Sequence, residues 1–240
     1  MPKYLCRVIR REEIAQGTLA VTLERPPEFQ FAPGQYATFT LLDPPETDAE
    51  GNTRTFSLAS APFEQALVFA TRLRDTAFKR VLRQIPVGSA LRLNGPAGGF
   101  TLHADASRPA VFLAGGIGIT PFMSMIKQVV YEATARDLFL FYANRRPEDS
   151  AFLQTLQALA DSARTFRFIP TFTSPDVSGP VRGERGRIDA PMLVRHLPDL
   201  RGPLYYAAGP PAMVEAMRDL LTQAGVGPQD IQCEEFPGYL

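Results

Sequence analysis

Two rhythms along the chain predict two parts: a β-rich barrel or sandwich, then a parallel α/β sheet. Residues 4 to about 104 carry short β-branched and aromatic runs at 21–23, 36–41 and 67–70. Turn signals separate them, among them Pro33-Gly34, Gly51-Asn52 and Pro86-Val87-Gly88. Short strands with frequent turns suit a barrel or a sandwich. After Asp105 apolar runs alternate with amphipathic ones, as in a parallel sheet covered on both faces. A glycine-rich stretch, Gly115 to Ser124, sits where an apolar run gives way to a helical pattern.

Each element follows from its residues. In the first part, residues 75–84 (DTAFKRVLRQ) break the strand pattern, because Phe78, Val81, Leu82 and Ile85 recur at helical spacing. Asp75 is the expected N-cap. In the second part, strands are expected at 110–114, 138–142, 166–172, 204–207 and 231–233. Helices are expected at 121–131, 150–160, 190–196 and 211–224. The boundary falls between Leu102 and Arg108. The acidic, Pro-rich stretch 43–52 reads as an exposed, solvated loop rather than a docking site.

Composition narrows the function. Of 240 residues, 45% are hydrophobic and 21% charged, ordinary for a globular protein. Lys+Arg and Asp+Glu balance at 25 each, so no global field draws the chain to nucleic acid or an anionic membrane. Two cysteines, Cys6 and Cys233, cannot supply the four thiolates of an iron–sulfur cluster. Lone thiols without an export signal predict a reducing, cytoplasmic setting. No apolar run approaches the ~20 residues of a membrane span. His103 and His196 lack partners at metal spacing, so no metal site is expected. A monomer without nucleic-acid partners or membrane insertion is expected.

Four motifs carry chemistry. Arg54-Thr55-Phe56-Ser57-Leu58-Ala59-Ser60 alternates, with Arg54 and Phe56 on one face and Thr55 on the other. Gly115-Gly116-Ile117-Gly118-Ile119-Thr120-Pro121 joins an apolar strand to a helix, where backbone amides and the helix N-terminus favour an anion. Pro121 replaces the third glycine of the dinucleotide fingerprint and is tolerated in a first helical turn. Asp137 lies ~20 residues on, but before the next strand, and reads as a turn residue. Asn144-Arg145-Arg146 follows that strand at its carboxyl end, where ligands of parallel sheets bind. Ala207-Ala208-Gly209-Pro210-Pro211-Ala212-Met213 is a second strand-to-helix turn. Singly, each has a plain structural account: a surface strand, a turn, a solvated basic loop.

In this order, over nearly the whole chain, the motifs resemble the ferredoxin-NADP reductase superfamily. Its RxYS strand matches Arg54 to Ser57, and its GPxGxF turn matches Gly95 to Phe100. Its GGxGxTP turn matches Gly115 to Pro121, its CGPxxM turn Ala208 to Met213, and its Glu-x-aromatic tail Glu234 to Phe236. The resemblance implies an antiparallel β-barrel binding FAD over 1–104. A doubly wound α/β domain binding NAD(P) would follow over 105–240. No iron–sulfur, haem or flavodoxin-like module is expected. The implied activity is an NAD(P)H-dependent FAD oxidoreductase serving a ferredoxin, flavodoxin or oxygenase component. A free-flavin or ferric reductase and a non-catalytic dinucleotide-sensing subunit stay open as alternatives.

The resemblance also assigns residues. Arg54 would meet the flavin pyrophosphate. Thr55 and Phe56 would line the flavin, and Ser57 would lie near N5. Thr71 and Leu73 would add contacts, and Thr76, Ala77, Phe78 and Lys79 would bind the pyrophosphate at a helix start. Gly115, Gly116, Gly118, Thr120, Pro121, Gly209, Pro210 and Met213 would hold the dinucleotide, with Asn144 and Arg145 near its adenosine ribose. Glu234 and Phe236, with Ser57, would stand at the reacting rings, and Tyr239 is a second candidate for the covering ring. Three departures matter. Phe56 stands where the family has Tyr, and Ala208 where it often has Cys. Thr173-Ser174-Pro175 lacks the Ser-Arg of NADPH users. A modest preference for NADH follows, with NADPH possible through Arg187 and its neighbours.

Overall fold

The structure, a computed structural model, describes residues 2–176 and 182–236. The first part forms β1 (Lys3–Ala15), β2 (Thr18–Glu24), β3 (Tyr36–Leu41), β4 (Thr53–Ser57), β5 (Ala66–Arg72), α1 (Ala77–Gln84) and β6 (Ala90–Ala97). The strands lie in the order β4-β3-β6-β1-β2-β5, each pair antiparallel. The edges meet: Ala59 N–H donates to the Val68 carbonyl (2.7 Å), and Val68 N–H donates to Ser60 Oγ (3.0 Å). These bonds draw the segment after β4 onto β5 and curl the sheet toward a barrel. Alternation along β3 puts Ala37, Phe39 and Leu41 inside. Phe56 stacks on Phe69 at 4.6 Å between centroids, and Phe39 lies 4.5 Å from Phe69.

Helix α1 plugs the barrel with Phe78 and Leu82, both buried. Its cap corrects the expectation of Asp75. Thr76 holds the extended cap conformation, and its Oγ1 accepts the Lys79 N–H at 3.4 Å. Asp75 sits one residue too far out to reach the first turn and pairs with Arg80 instead.

The second part forms β7 (Ala110–Gly115), α2 (Ile119–Glu132), β8 (Leu138–Asn144), α3 (Leu153–Ser162), β9 (Phe166–Phe172), β10 (Glu184–Arg185), α4 (Ala190–His196), β11 (Leu204–Gly209), α5 (Pro211–Gln223) and β12 (Ile231–Glu235). The order is β10-β9-β8-β7-β11-β12, all parallel. Central β7 and β11 are buried at every residue, as a sheet covered on both faces requires. Phe112, Leu140 and Tyr206 pack with Phe122 of α2 and Leu156 of α3. On the other face Val111, Phe141 and Tyr205 pack with Met192 of α4 and Leu221 of α5. Every strand and helix expected here is present. Helix α3 starts later than expected because Pro147–Asp149 forms a short 3-10 turn and Phe152 takes a left-handed conformation, φ +59.

The connecting segment is fixed to the second sheet. Tyr206 OH accepts the His103 N–H (2.9 Å) and meets His103 Nδ1 (2.8 Å), while Arg136 donates to the His103 carbonyl (2.7 Å). His103 is thus a structural residue, and His196 pairs with Glu184 at 2.7 Å. Arg72 joins the two parts, donating to the carbonyls of Gln16 in the first (2.9 Å) and Asp149 in the second (2.7 Å), and Lys127 pairs with Glu64 across them (2.9 Å). Among the described residues, no helix is long and apolar enough to cross a membrane.

Candidate functional site

One cavity of about 390 Å³ lies between the barrel and the C-terminal strand of the second sheet. Strand β4 supplies Arg54, Thr55, Phe56 and Ser57, and β5 supplies Thr71. Arg74, Thr76 and Lys79 come from the start of α1, Ile117 and Thr120 from the turn after β7, and Glu234 and Phe236 from the end of the chain. Three cations, Arg54, Arg74 and Lys79, therefore share one wall. Burial, with Arg74 and Arg54 nearby, pushes the Lys79 ammonium down to about 8. Like charges gathered in a half-buried place are a design for an anion.

A second cavity of about 580 Å³ opens at the carboxyl ends of β7, β8 and β11. Gly115, Gly116, Asn144, Arg145, Arg187, Pro210 and Met213 line it, joined by Arg72 and Thr173. Asn144 is buried at the wall of this cavity, beside the Tyr142 hydroxyl.

Several expected residues line neither cavity. Leu73 gives its N–H to the Gly17 carbonyl (2.8 Å) and packs on the barrel core. Phe78 lies inside the barrel, with the Arg54 guanidinium 5.2 Å above its ring. The Ala77 N–H is taken by Asp48 Oδ2 at 2.8 Å, so it is not a free donor. Pro121 is buried in the first turn of α2. Gly118 and Gly209 serve packing: a Cβ on Gly118 would stand 2.2 Å from the Ala208 carbonyl oxygen, and one on Gly209 3.0 Å from that of Gly115. These glycines let two strand ends approach each other. Of the glycines at these two turns, only Gly116 has open space around it, and its φ of +54 requires glycine there. Thr120 faces the first cavity, not the second, and donates its hydroxyl to the Ile117 carbonyl (3.0 Å). Ala208 is fully buried in the core, so nothing at the usual cysteine position reaches a ligand. Tyr239 lies outside the described residues.

Known proteins share this fold. The family "Oxidoreductase NAD-binding domain" matches residues 112–219. A Ralstonia ferredoxin–NAD(P)(+) reductase component of naphthalene 1,2-dioxygenase/salicylate 5-hydroxylase systems is 29% identical over 221 residues, 91% of this chain and 63% of that one. The Rhodococcus jostii propane 2-monooxygenase reductase component is 27% identical over 238 residues, 96% of this chain and 62% of that one. The chain thus spans less than two thirds of these relatives. Among solved structures, the Amycolatopsis cytochrome P450 reductase superposes with a TM-score of 0.82 at 25% identity, covering 98% of this chain and 70% of that one. A Neisseria gonorrhoeae ferredoxin NADP+ reductase with bound FAD and NADP has the same fold, with a TM-score of 0.81 at 20% identity over 97% of this chain and 98% of that one. Over nearly its whole length the chain is similar to reductase components of oxygenase systems, and residues 112–219 match the oxidoreductase NAD-binding family.

The first cavity fits a flavin dinucleotide on its own chemistry. Three cations and the Thr76 hydroxyl suit a diphosphate, and Tyr36, Phe56 and Phe236 suit a flat ring. Sequence reasoning missed Tyr36, Arg72 and Arg74. Tyr36 had a signal, an aromatic opening a strand beside the Gly98 it packs against. Arg72 and Arg74 flank an expected contact, Leu73, but only the fold turns them toward the cavities.

Glu234 has a property no motif reveals. One carboxylate oxygen is buried without a partner, and burial pushes the group up to about 7. The folded state therefore holds a proton that the unfolded chain releases at its ordinary value of 4.5. Stability is lost as pH rises from there through about 7. Glu234→Gln should raise the Tm above pH 7, by about 2 kcal/mol in stability after allowing for partial exposure, and match wild type near pH 4. A Tm series across that range tests this; a difference independent of pH would refute it.

Proposed function

We propose that the chain is an NAD(P)H-dependent FAD reductase supplying electrons to a ferredoxin, flavodoxin or oxygenase component. The observation that carries this reading is one turn between two cavities. Gly115 and Gly116 wall the second cavity, while Ile117 and Thr120 wall the first. A flavin bound in the first and a dinucleotide bound in the second would flank that turn. Bound FAD would supply the redox chemistry, that of hydride acceptance from a nicotinamide and electron release to a partner. The chain's residues bind and align. Arg54, Arg74, Lys79 and Thr76 hold the diphosphate. Phe56, Ser57 and Thr71 border the flavin ring, and Phe236 covers it until the nicotinamide enters. Asn144, Arg145 and Arg187 receive the adenosine half of the dinucleotide. Alignment of this kind is worth several orders of magnitude in rate without any acid or base.

The flavin part spans 1–104 and the dinucleotide part 105–240, working as a monomer in the cytoplasm. Purified protein should retain FAD through gel filtration and bleach anaerobically with NADH. Failure to take up FAD refutes the reading, and ready loss with turnover of free flavin favours a flavin reductase. Three nearby arginines are engaged. Arg146 lies 3.5 Å from both Glu148 and Asp149, Arg182 pairs with Asp161 (3.0 Å), and Arg185 is also partnered. Arg145 and Arg187 have no ion pair among the described residues and line the second cavity. With two exposed cations and no Ser-Arg, kcat/KM should favour NADH by less than about tenfold. Removing both arginines should widen that ratio. An NADPH preference above about tenfold, some 1.4 kcal/mol, would mean that they form a strong phosphate site.

A further inference from the structure

The acidic stretch between β3 and β4 does not simply face solvent. It folds back onto the anion wall of the first cavity. Arg54 Nη1 donates to the carbonyls of Glu50 (2.9 Å), Gly51 (3.0 Å) and Thr53 (2.8 Å). Its Nη2 meets Glu50 Oε2 at 2.8 Å and Asp48 Oδ1 at 3.5 Å. Asp48 Oδ2 also accepts the Ala77 N–H at the start of α1 (2.8 Å), while Asp48 Oδ1 accepts the Glu50 N–H (3.0 Å). Glu50 itself lines the cavity. Two carboxylates thus occupy a guanidinium edge and a helix-start amide, donors that a diphosphate would use.

We propose that Asp48 and Glu50 are counter-anions that the FAD diphosphate must displace, so that they set the affinity and entry rate of the flavin. This rests on the FAD reading above. The two carboxylates carry about the charge of a diphosphate; both pair with Arg54, and Glu50 shares the cavity with Arg54, Arg74 and Lys79. Exchange of one anion for the other leaves the cations neutralised in both states. Glu50 is the easier to displace, with 67% of its side chain exposed against 31% for Asp48. Arg54 stays in place because the three carbonyls hold its Nη1.

The test is FAD titration of the apoprotein, followed by flavin fluorescence quenching, with stopped-flow entry rates. Asp48→Ala/Glu50→Ala should bind FAD about tenfold tighter and faster than wild type. Glu50→Gln leaves the Ala77 contact intact and should give a smaller tightening, about threefold. Circular dichroism and Tm confirm that each variant is folded. If folded variants bind FAD as wild type does, or more weakly, the carboxylates position Arg54 rather than compete, and the proposal falls. If wild type takes up no FAD at all, both the proposal and the functional reading fall.

Discussion

Replacing Arg54 with alanine should weaken FAD binding ten- to a hundredfold. The scale is that of a charge-assisted hydrogen bond, about 1.5–3 kcal/mol. Arg54 is not a loose surface residue: 17% of its side chain is exposed, its guanidinium lies over Phe78, and its Nη1 is shared by three carbonyls. Losing it removes one cation of the wall and the tether of residues 48–51 together. Asp48 and Glu50 would then stand unbalanced beside the cavity, so the loss should exceed that of a plain cation. Arg54→Lys keeps the charge but not the fork, and should fall between wild type and Arg54→Ala. The two positions should also couple. In the Arg54→Ala background, Glu50→Gln should restore part of the lost FAD affinity, because it removes an unbalanced charge. Equal FAD affinity for wild type and Arg54→Ala would show that the anion wall does not hold the flavin.

The sequence made the framework legible because its signals are local. Apolar runs at 110–114 and 204–207 need no partner to declare buried strands, and each borders a glycine turn at a ligand end. Arg54 and Ser57 share one short strand and line one cavity, whereas Gly115 and Thr120, grouped by the sequence, line different ones. What sequence could not show was set by tertiary contact. Asp75 and Thr76 are both good caps by residue type, and only the backbone conformation decides for Thr76. The Ala77 amide looks free from its place in a first turn, but Asp48, distant along the chain, occupies it. An acidic loop reads as solvated when its cationic partners lie on other elements. Glycines show a different limit: sequence marks Gly115, Gly116 and Gly118 alike, yet two of them pack protein against protein and one sets a backbone angle. Burial of Glu234 next to a chain terminus has no sequence signature at all.

Gly118→Ala should cost about 3 kcal/mol and lower the Tm by about 6–12 °C. Two effects oppose each other. The φ of −58 and ψ of −6 at Gly118 suit alanine, and losing a glycine reduces unfolded-state freedom, a gain of up to about 1 kcal/mol. Against that, the new Cβ would lie 2.2 Å from the Ala208 oxygen, 2.5 Å from its carbonyl carbon and 2.7 Å from Gly209 Cα. All three are backbone atoms at the end of a central strand, so no side chain can swing aside. Either β11 or the turn after β7 must shift, and these carry the two loops that wall the dinucleotide cavity. Sterics therefore win, and dinucleotide affinity should fall together with stability. Gly116→Ala is the contrast. Its Cβ meets nothing within 4 Å, but φ +54 costs a non-glycine residue about 1–2 kcal/mol. Thermal melts and NADH titrations of the two variants should thus rank Gly118→Ala as the worse in both. A Gly118→Ala protein within about 1 kcal/mol of wild type would mean that the two strand ends stand further apart than these distances say.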